Sequence, residues 1–420
     1  MDRSLVFIYD RHPVDGVRAN CKPFMNSEEN MCQGFKYAGV ASGLKKNGKK
    51  DLGLIYSEMP ANVSGVFTRN EIKAAPVILD MRRMVAGSCQ AVIANSGNAN
   101  CCTGEKGMRD AISMTRWTAE ALALSEEQVL VASTGVIGEP LAAEKVQAAI
   151  PDLINALDPD RIADFAEAIM TTDTVPKVIS KKGNLGGKSF TVTGVAKGAG
   201  MIRPDMATLL CFVMTDAACP SDMLHEMLLK SIDHTLNRIT VDGDTSTNDT
   251  ALLIANGASG SVINSSAQGG QFQLILDEVL MTLAKELVKD AEGATKLVEI
   301  AVKGAKSDAD AQRVADTIAH SNLLKTALFG EDANWGRILA AAGRAGVPIQ
   351  SDVIDVYFAD VLMVKSGMSC GKKAEVDATQ VLKQPEYTIT IDLNAGKGVA
   401  SVFTCDFSIY YVKINASYRS

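Results

Sequence analysis

The sequence predicts an α+β fold in which sheets and helices stack as a layered sandwich, and three observations predict it. Strand-like and helix-like stretches are interspersed along all 420 residues, yet the strands arrive in hairpin-like groups instead of strict βαβ alternation. Hydrophobic residues make up 47% of the chain, enough to fill one large core or two smaller ones. No segment repeats at a period of roughly 20 to 50 residues, which argues against solenoids and propellers.

The elements follow in order. Residues 1–30 mix Arg3, Arg11, Arg18 and Lys22 with acidic residues and lack an apolar core, so they read as a variable lead-in and not as a signal or transit peptide. Strands are expected at 37–43, 51–58 and 63–70, each closed by Gly, Pro or Asn. The charge run at 44–51, LKKNGKKD, reads as a solvated loop. A strand at 90–95 runs into the small, polar loop SGNANCCTG at 96–104, followed by a helix at 105–122. SEEQ at 125–128 has the form of a capping box, and a strand at 129–132 leads into STGVIGEP at 133–140. Helices are expected at 141–150 and at 159–169, the second capped by Asp158, then the loop TTDTVPK at 171–177 and a strand at 189–195.

The stretch 197–216, KGAGMIRPDMATLLCFVMTD, concentrates unusual punctuation. Gly198 and Gly200 admit backbone geometries closed to other residues, and Pro204 ends any regular element before it. TLLCFV at 208–213 is then short, apolar and partly β-branched, as a buried strand requires. Beyond it a helix is expected at 221–237, a strand at 238–241, the loop DGDTSTND at 242–249 and a strand at 251–256. An amphipathic helix at 271–290, the segment AEGATK, a strand at 297–302, a helix after Ser307 and a helix at 334–344 come next. Strands at 353–358, 387–393, 399–407 and 410–414 finish the chain.

Composition narrows the function classes. A formal net charge of −7 and the lack of a dense basic stripe argue against nucleic acid. The nine cysteines are scattered and form no CxxC pair, which reads as reduced core thiols in a cytosolic protein. Four histidines, none in HExxH, leave little material for a zinc site or a Ser-His-Asp triad. No run approaches the roughly 18 apolar residues of a membrane span.

Three constellations could carry chemistry. Thr208 opens a strand after a glycine-rich loop. If the Ala207–Thr208 bond were cut, the freed α-amine, with a pKa of about 8, could act as base for the hydroxyl on the same residue. Pattern alone favours a β-branched residue that merely begins a strand. Thr134 and Gly135, a hydroxyl beside a backbone N–H in a loop after a strand, could hold an oxyanion, although turn chemistry explains the same pair. Asp242 and Asp244 in VDGDTS resemble the nucleophile loop of Mg²⁺-dependent phosphotransferases, with an Asx-turn loop as the plain reading.

Taken together, GFKYAGVASGLK, DLGLIYSEMPA, ANSGNANCCTG, ASTGVIGEPL, MTTDTVPK, GVAKGAGMIRPDMATLL, RITVDGDTSTND, KDAEGATK, ALFGEDANWGRILAAAGRAG and YYVKINASY resemble the ornithine acetyltransferase family, also called glutamate N-acetyltransferase. The fragments stand in the family's order from about residue 33 onward. The resemblance implies an αββα-type sandwich of the ornithine acetyltransferase and DmpA-like kind. It implies self-cleavage between Ala207 and Thr208, dividing the chain into an α piece, 31–207 after the lead-in, and a β piece, 208–420. Thr208 would be the acetylated nucleophile, Thr134 and Gly135 the oxyanion hole, and Thr171 or Thr172, Lys197, Thr208, Glu292, Asn415 and Ser420 the substrate contacts.

The implied reaction is ping-pong. N-acetylornithine acylates Thr208, ornithine leaves, and glutamate takes the acetyl group to give N-acetylglutamate, a step of arginine biosynthesis. No metal or organic cofactor is implied, acetyl-CoA is a further donor for some members, and two α and two β pieces are expected to assemble in the cytoplasm. The rival readings are an N-terminal-nucleophile amidohydrolase or aminopeptidase that passes the acyl group to water, the Mg²⁺ phosphotransferase, and a noncatalytic amino-acid-binding protein.

Overall fold

A computed structural model describes residues 31–203 and 209–417, together with the backbone of 24–25. Ala207, Thr208, Ser420 and nearly all of the lead-in therefore lie outside the described residues. The first part of the chain carries β1 (Phe24–Met25), β2 (Phe35–Val40), β3 (Leu52–Phe67), α1 (Ala75–Arg83), β4 (Ser88–Asn98), α2 (Gly104–Leu122), β5 (Val129–Val136), α3 (Ala143–Asn155), α4 (Ile162–Ile169), β6 (Lys177–Leu185) and β7 (Lys188–Lys197). The second carries β8 (Leu210–Thr215), α5 (Ser221–His234), β9 (Ile239–Thr240), β10 (Thr250–Ala255) and α6 (Ser266–Lys289). The remainder is β11 (Leu297–Ala305), α7 (Asp308–Ala319), α8 (Asn322–Phe329), α9 (Trp335–Gly343), β12 (Asp355–Phe358), β13 (Val361–Lys365), β14 (Met368–Ser369), α10 (Lys372–Leu382), β15 (Glu386–Asp392), β16 (Gly398–Cys405) and α11 (Ile409–Ala416).

Two sheets organise these elements. The larger runs β1-β6-β7-β8-β10-β3-β4-β5, with β2 also on β3, and the smaller runs β14-β13-β12-β15-β11-β16-β9. Alternation of side chains shows how the larger sheet is layered. Leu210, Phe212 and Met214 of β8 share one core with Val92 and Ala94 of β4 and with Leu130 and Ala132 of β5. The intervening Cys211 and Val213 face a second core built on α5 and α6, while Ala91, Ile93, Val129 and Val131 face a third built on α1, α2 and α3. The two halves of the sheet thus enclose one core between them and each carries helices outside, which is the αββα order expected. In the smaller sheet β11, β12, β13 and β15 share a core with α7, α8, α9 and α10.

Several sequence readings need correction. The strands expected at 51–58 and 63–70 are one strand, β3, which passes through Pro60 because the pairing with β4 breaks register between Tyr56 and Ala61, where proline forfeits no ladder bond. Asp158 does not cap α4, since its Oδ1 accepts the N–H of Asp160 (2.8 Å) in an Asx turn and the helix begins only at Ile162. The strand expected at 410–414 is the helix α11, whose Ser408 hydroxyl accepts the N–H of Tyr410 (3.1 Å). The pattern reading also missed α1, α8, α10, β6, β13 and β14. Six of the described cysteines are buried, but Cys102 and Cys370 are exposed and do not belong to a core.

Candidate active site

A cleft of about 310 Å³ opens where the ends of β5, β7 and β8 meet the loop before β10, the turn after α6 and one face of α11. Thr134 and Gly135 line it from β5, Thr171 and Thr172 from the loop after α4, and Lys197 from the end of β7. Glu292 enters from the turn after α6 and Asn415 from α11. Thr208 lies outside the described residues, but its neighbours Leu209 and Leu210 line the same cleft.

The floor at β5 is set by its close approach to β4. Gly135 has φ +135°, and a Cβ there would stand 2.4 Å from the carbonyl carbon of Gly97, so only glycine fits. The polar loop 96–104 and Asn248 hold this strand end in place. The Asn248 side-chain amide donates to the carbonyls of Ala99 (2.6 Å) and Ser133 (2.8 Å), and the Ser133 hydroxyl donates to Asn95 (2.6 Å).

Lys197 joins two segments far apart in sequence. Its ammonium donates to Thr171 Oγ1 (2.7 Å) and to Thr134 Oγ1 (3.3 Å), and it stands 3.7 Å from Asp173 Oδ2. Burial pushes the lysine pKa down, and Asp173 partly opposes that shift. Asp173 also accepts from Lys177 Nζ (2.8 Å), the N–H of Gly198 (2.7 Å) and the N–H of Thr171 (3.0 Å). Burial would raise its pKa, but Lys177 and Lys197 reverse that and hold the carboxylate below its ordinary range. Lys177 is itself shared with Asp290 (2.7 Å).

On the opposite wall, Glu292 Oε2 accepts from the Asn415 amide (2.7 Å), and the backbone N–H of Glu292 donates to the carbonyl of Ala199 (2.8 Å). Its carboxylate lies so close over Gly200 that a Cβ there would come within 2.7 Å of Oε2. One wall of the cleft is therefore cationic and the other anionic, an arrangement that suits a zwitterionic amino acid.

Asp242 and Asp244 also line the cleft, but Asp242 acts as a loop anchor. It accepts the backbone N–H groups of Met201 (2.7 Å) and Ile202 (3.0 Å) and the Tyr411 hydroxyl (3.2 Å). The sequence reading assigned no role to Asp173, Lys177, Asn248, Asp249, Asp290 or Tyr411. The motifs TTDTVPK and DGDTSTND contained the first four, but no local pattern distinguished them from loop polarity.

The chain matches the ArgJ family over residues 36–420. It is 51% identical over 390 residues to the arginine biosynthesis bifunctional protein ArgJ of Geobacter sulfurreducens, covering 92% of this chain and 99% of that one. It is 44% identical over 395 residues to the protein of the same name from Thermotoga neapolitana, again covering 92% and 99%. Among solved structures it is similar to ornithine acetyltransferase from Mycobacterium tuberculosis, complexed with ornithine. That likeness has 37% identity, covers 42% of this chain and 93% of that one, and has a TM-score of 0.38. The family match over residues 36–420, with 51% identity to a relative over 92% of the chain, establishes that the chain belongs to the ArgJ family.

Proposed function

We propose that the protein transfers the acetyl group of N-acetylornithine to glutamate through an acetyl-Thr208 intermediate, releasing ornithine and N-acetylglutamate in arginine biosynthesis. One observation carries the assignment of roles. Seven residues drawn from five separate segments, each named beforehand from motif resemblance, line a single cleft that Leu209 also enters.

In this reading the Ala207–Thr208 bond is cut first, leaving α and β pieces of residues 31–207, with the lead-in before it, and 208–420. The new α-amine then takes the proton of the Thr208 hydroxyl as Oγ attacks the acetyl carbonyl. Thr134 Oγ1 and the backbone N–H of Gly135 hold the developing oxyanion. Glu292, steadied by Asn415, pairs with an ammonium group of the substrate, and Lys197 receives its carboxylate with Thr171 or Thr172 beside it. Ornithine departs as the acetyl ester forms, and the α-amine of glutamate attacks that ester from the same site. Ser420 belongs to this contact set through motif resemblance alone. Acetyl-CoA as a second donor, a complex of two α and two β pieces, and a cytoplasmic location complete the proposal. Among the described residues no helix is long and apolar enough to cross a membrane.

Intact-mass measurement before and after incubation with N-acetylornithine tests cleavage and acetylation together. The β piece is expected to begin at Thr208 and to gain the mass of one acetyl group, and Thr208→Ala is expected to abolish both events. Assay of N-acetylglutamate against free acetate separates transfer from the hydrolase reading. Acetate as the main product would overturn acetyl transfer while leaving Thr208 as nucleophile.

A further inference from the structure

Cys101 and Cys102 stand side by side in the loop that braces the floor of the cleft, and their sulfurs are already in contact, 3.8 Å apart. The two thiols have different surroundings. Cys101 is buried among Ala74, Val77 and Ala99, whereas Cys102 is exposed and opens on a second cavity of about 460 Å³ that Lys73 and Thr103 also line. Cys102 has φ +58°, a left-handed backbone conformation uncommon for a residue with a Cβ. One sulfur is thus open to a reagent, and the second lies within reach of the first. The buried thiol is also tied to the site. Cys101 is hydrogen-bonded to the Thr247 side chain, whose hydroxyl donates to Asn248 Oδ1 (2.7 Å). The amide of that asparagine holds the carbonyls of Ala99 and of Ser133, the residue before Thr134. The main chain adds two ties: the carbonyl of Cys101 accepts the N–H of Gly138 (3.0 Å), and the N–H of Ala99 donates to the carbonyl of Val136 (3.0 Å). A change at Cys101 therefore reaches the strand end that carries Thr134 and Gly135 through side chain and main chain alike.

We propose that Cys101 and Cys102 form an oxidisable dithiol site, which a small-molecule disulfide converts to a Cys101–Cys102 disulfide, and that this closure loosens the floor of the cleft. The effect on the floor rests on the reading above that Thr134 and Gly135 hold the oxyanion. The thiolate is the attacking form, and burial raises the pKa of the Cys101 thiol, so the exposed Cys102 reacts first. Its Sγ attacks one sulfur of the small disulfide, forming a mixed disulfide and releasing the other half as a thiol. Cys101 Sγ then attacks Cys102 Sγ, the bond between the two cysteine sulfurs forms, and the second half leaves as a thiol. Two cysteine thiols are oxidised, one small disulfide is reduced, and the two thiol protons end on the released thiols. Cys101 then has no S–H to share with Thr247. The closed form is also strained, because chain neighbours have Cα atoms about 3.80 Å apart, short of the roughly 4.4–6.8 Å that a disulfide prefers. Such strain makes the bond easy to reduce, as a reversible modification requires.

The test treats the full-length chain with oxidised glutathione, blocks the remaining thiols with iodoacetamide in denaturant, and weighs the tryptic peptide 84–106, which also contains Cys89. All three of its cysteines are expected to take the label before oxidation and only Cys89 afterwards, with the mass of two hydrogens lost. Acetyl transfer is expected to fall about tenfold, less than the roughly 100-fold or more that removal of a whole oxyanion donor costs, and to return with dithiothreitol. Cys102→Ala, which changes an exposed side chain outside the cleft, is expected to keep the parent rate and to be insensitive to oxidised glutathione, with Cys102→Ser used in its place should that chain not fold. Full labelling after oxidation would overturn the proposal, and so would glutathione left on Cys102 beside a free Cys101. A closed disulfide with acetyl transfer unchanged, or a Cys102→Ala chain inhibited as strongly as the parent, would overturn the link to the floor of the cleft. A reduced parent that transfers no acetyl group would remove the function proposed above, and the peptide mass would then support or overturn the dithiol site by itself.

Discussion

Asp173 is the carboxylate that most strongly supports the charge of Lys197. Burial drives the ammonium toward the neutral form, and Asp173 at 3.7 Å is the strongest influence that opposes it, with Glu292 and Asp249 acting in the same sense. Replacing Asp173 with Asn removes that support, so the pKa of Lys197 falls further and the lysine loses its proton at a lower pH than in the parent protein. If Lys197 receives the substrate carboxylate, the expected outcome is a KM about tenfold higher near neutral pH, or ~1.4 kcal/mol of binding. The rise in KM with pH should also begin earlier, and steady-state KM measured from acid to alkaline pH checks both. The opposite wall has its own constraint at this scale. Gly200→Ala would push a methyl group into the Glu292 carboxylate, so loss of acetyl transfer with cleavage retained is expected, read by the two assays separately. Residues such as Lys197 and Glu292 were legible because they sit in distinctive motifs. Asp173 was not, because beyond its local bonds to Thr171 and Lys177 it meets the cleft through Lys197 and the N–H of Gly198, 25 positions away, and no local pattern encodes those contacts.

The helix α11 shows how an element can be misread and still bring a named residue, Asn415, to the cleft. YYVKI is rich in aromatic and β-branched residues, which favours a strand when read locally. Helical spacing instead places Tyr411 and Asn415 one turn apart on the face that meets the cleft, where Tyr411 stacks on Phe407 with ring centroids 4.3 Å apart. The hydroxyl of Ser408 makes the difference. It accepts the N–H of Tyr410 and donates to the carbonyl of Gly293 (2.6 Å), so one side chain both starts the helix and ties it to the turn that carries Glu292. Ser408→Ala is expected to cost about 1 kcal/mol of stability and to raise KM more than it lowers kcat, because Asn415 and Glu292 would lose their fixed relation. Thermal unfolding and steady-state kinetics of the one variant test this. The long strand β3 was hidden for a related reason, since proline ends strands in isolation but is accommodated at a register break.

The order of the larger sheet determines what a cut before Thr208 would do to the molecule. Strands β8 and β10 follow the proposed cut in sequence, yet they lie between β7 and β3, which precede it. β8 pairs with β7 from Leu210 to Thr215, and β10 pairs with β3 from Thr250 to Ala255, so two full ladders cross between the pieces. Phe212 and Leu252 share their core with Phe165 and Val92 of the first piece. A buried ion pair crosses as well, Lys177 with Asp290 at 2.7 Å, and Asp173 completes it. Lys177 has a folded pKa raised above that of a free lysine: burial lowers it, and the two carboxylates more than compensate. Its stabilisation is present below about pH 10 and is lost as pH rises through the folded value. Asp173, with a depressed pKa, contributes above about pH 4 and loses that contribution as pH falls through its own lower value. Both terms are therefore intact across the neutral range. Lys177→Met would remove the ammonium that the buried carboxylates of Asp173 and Asp290 share, at a cost of about 3–5 kcal/mol. The pieces of the parent protein are expected to co-elute as one species on size exclusion after cleavage and to part only in denaturant. Those of Lys177→Met should separate at a distinctly lower denaturant concentration, because neither piece can complete the sheet alone. Pieces of the parent protein that drift apart on simple dilution would contradict this, since each ladder left open would expose an apolar edge at the centre of the sheet.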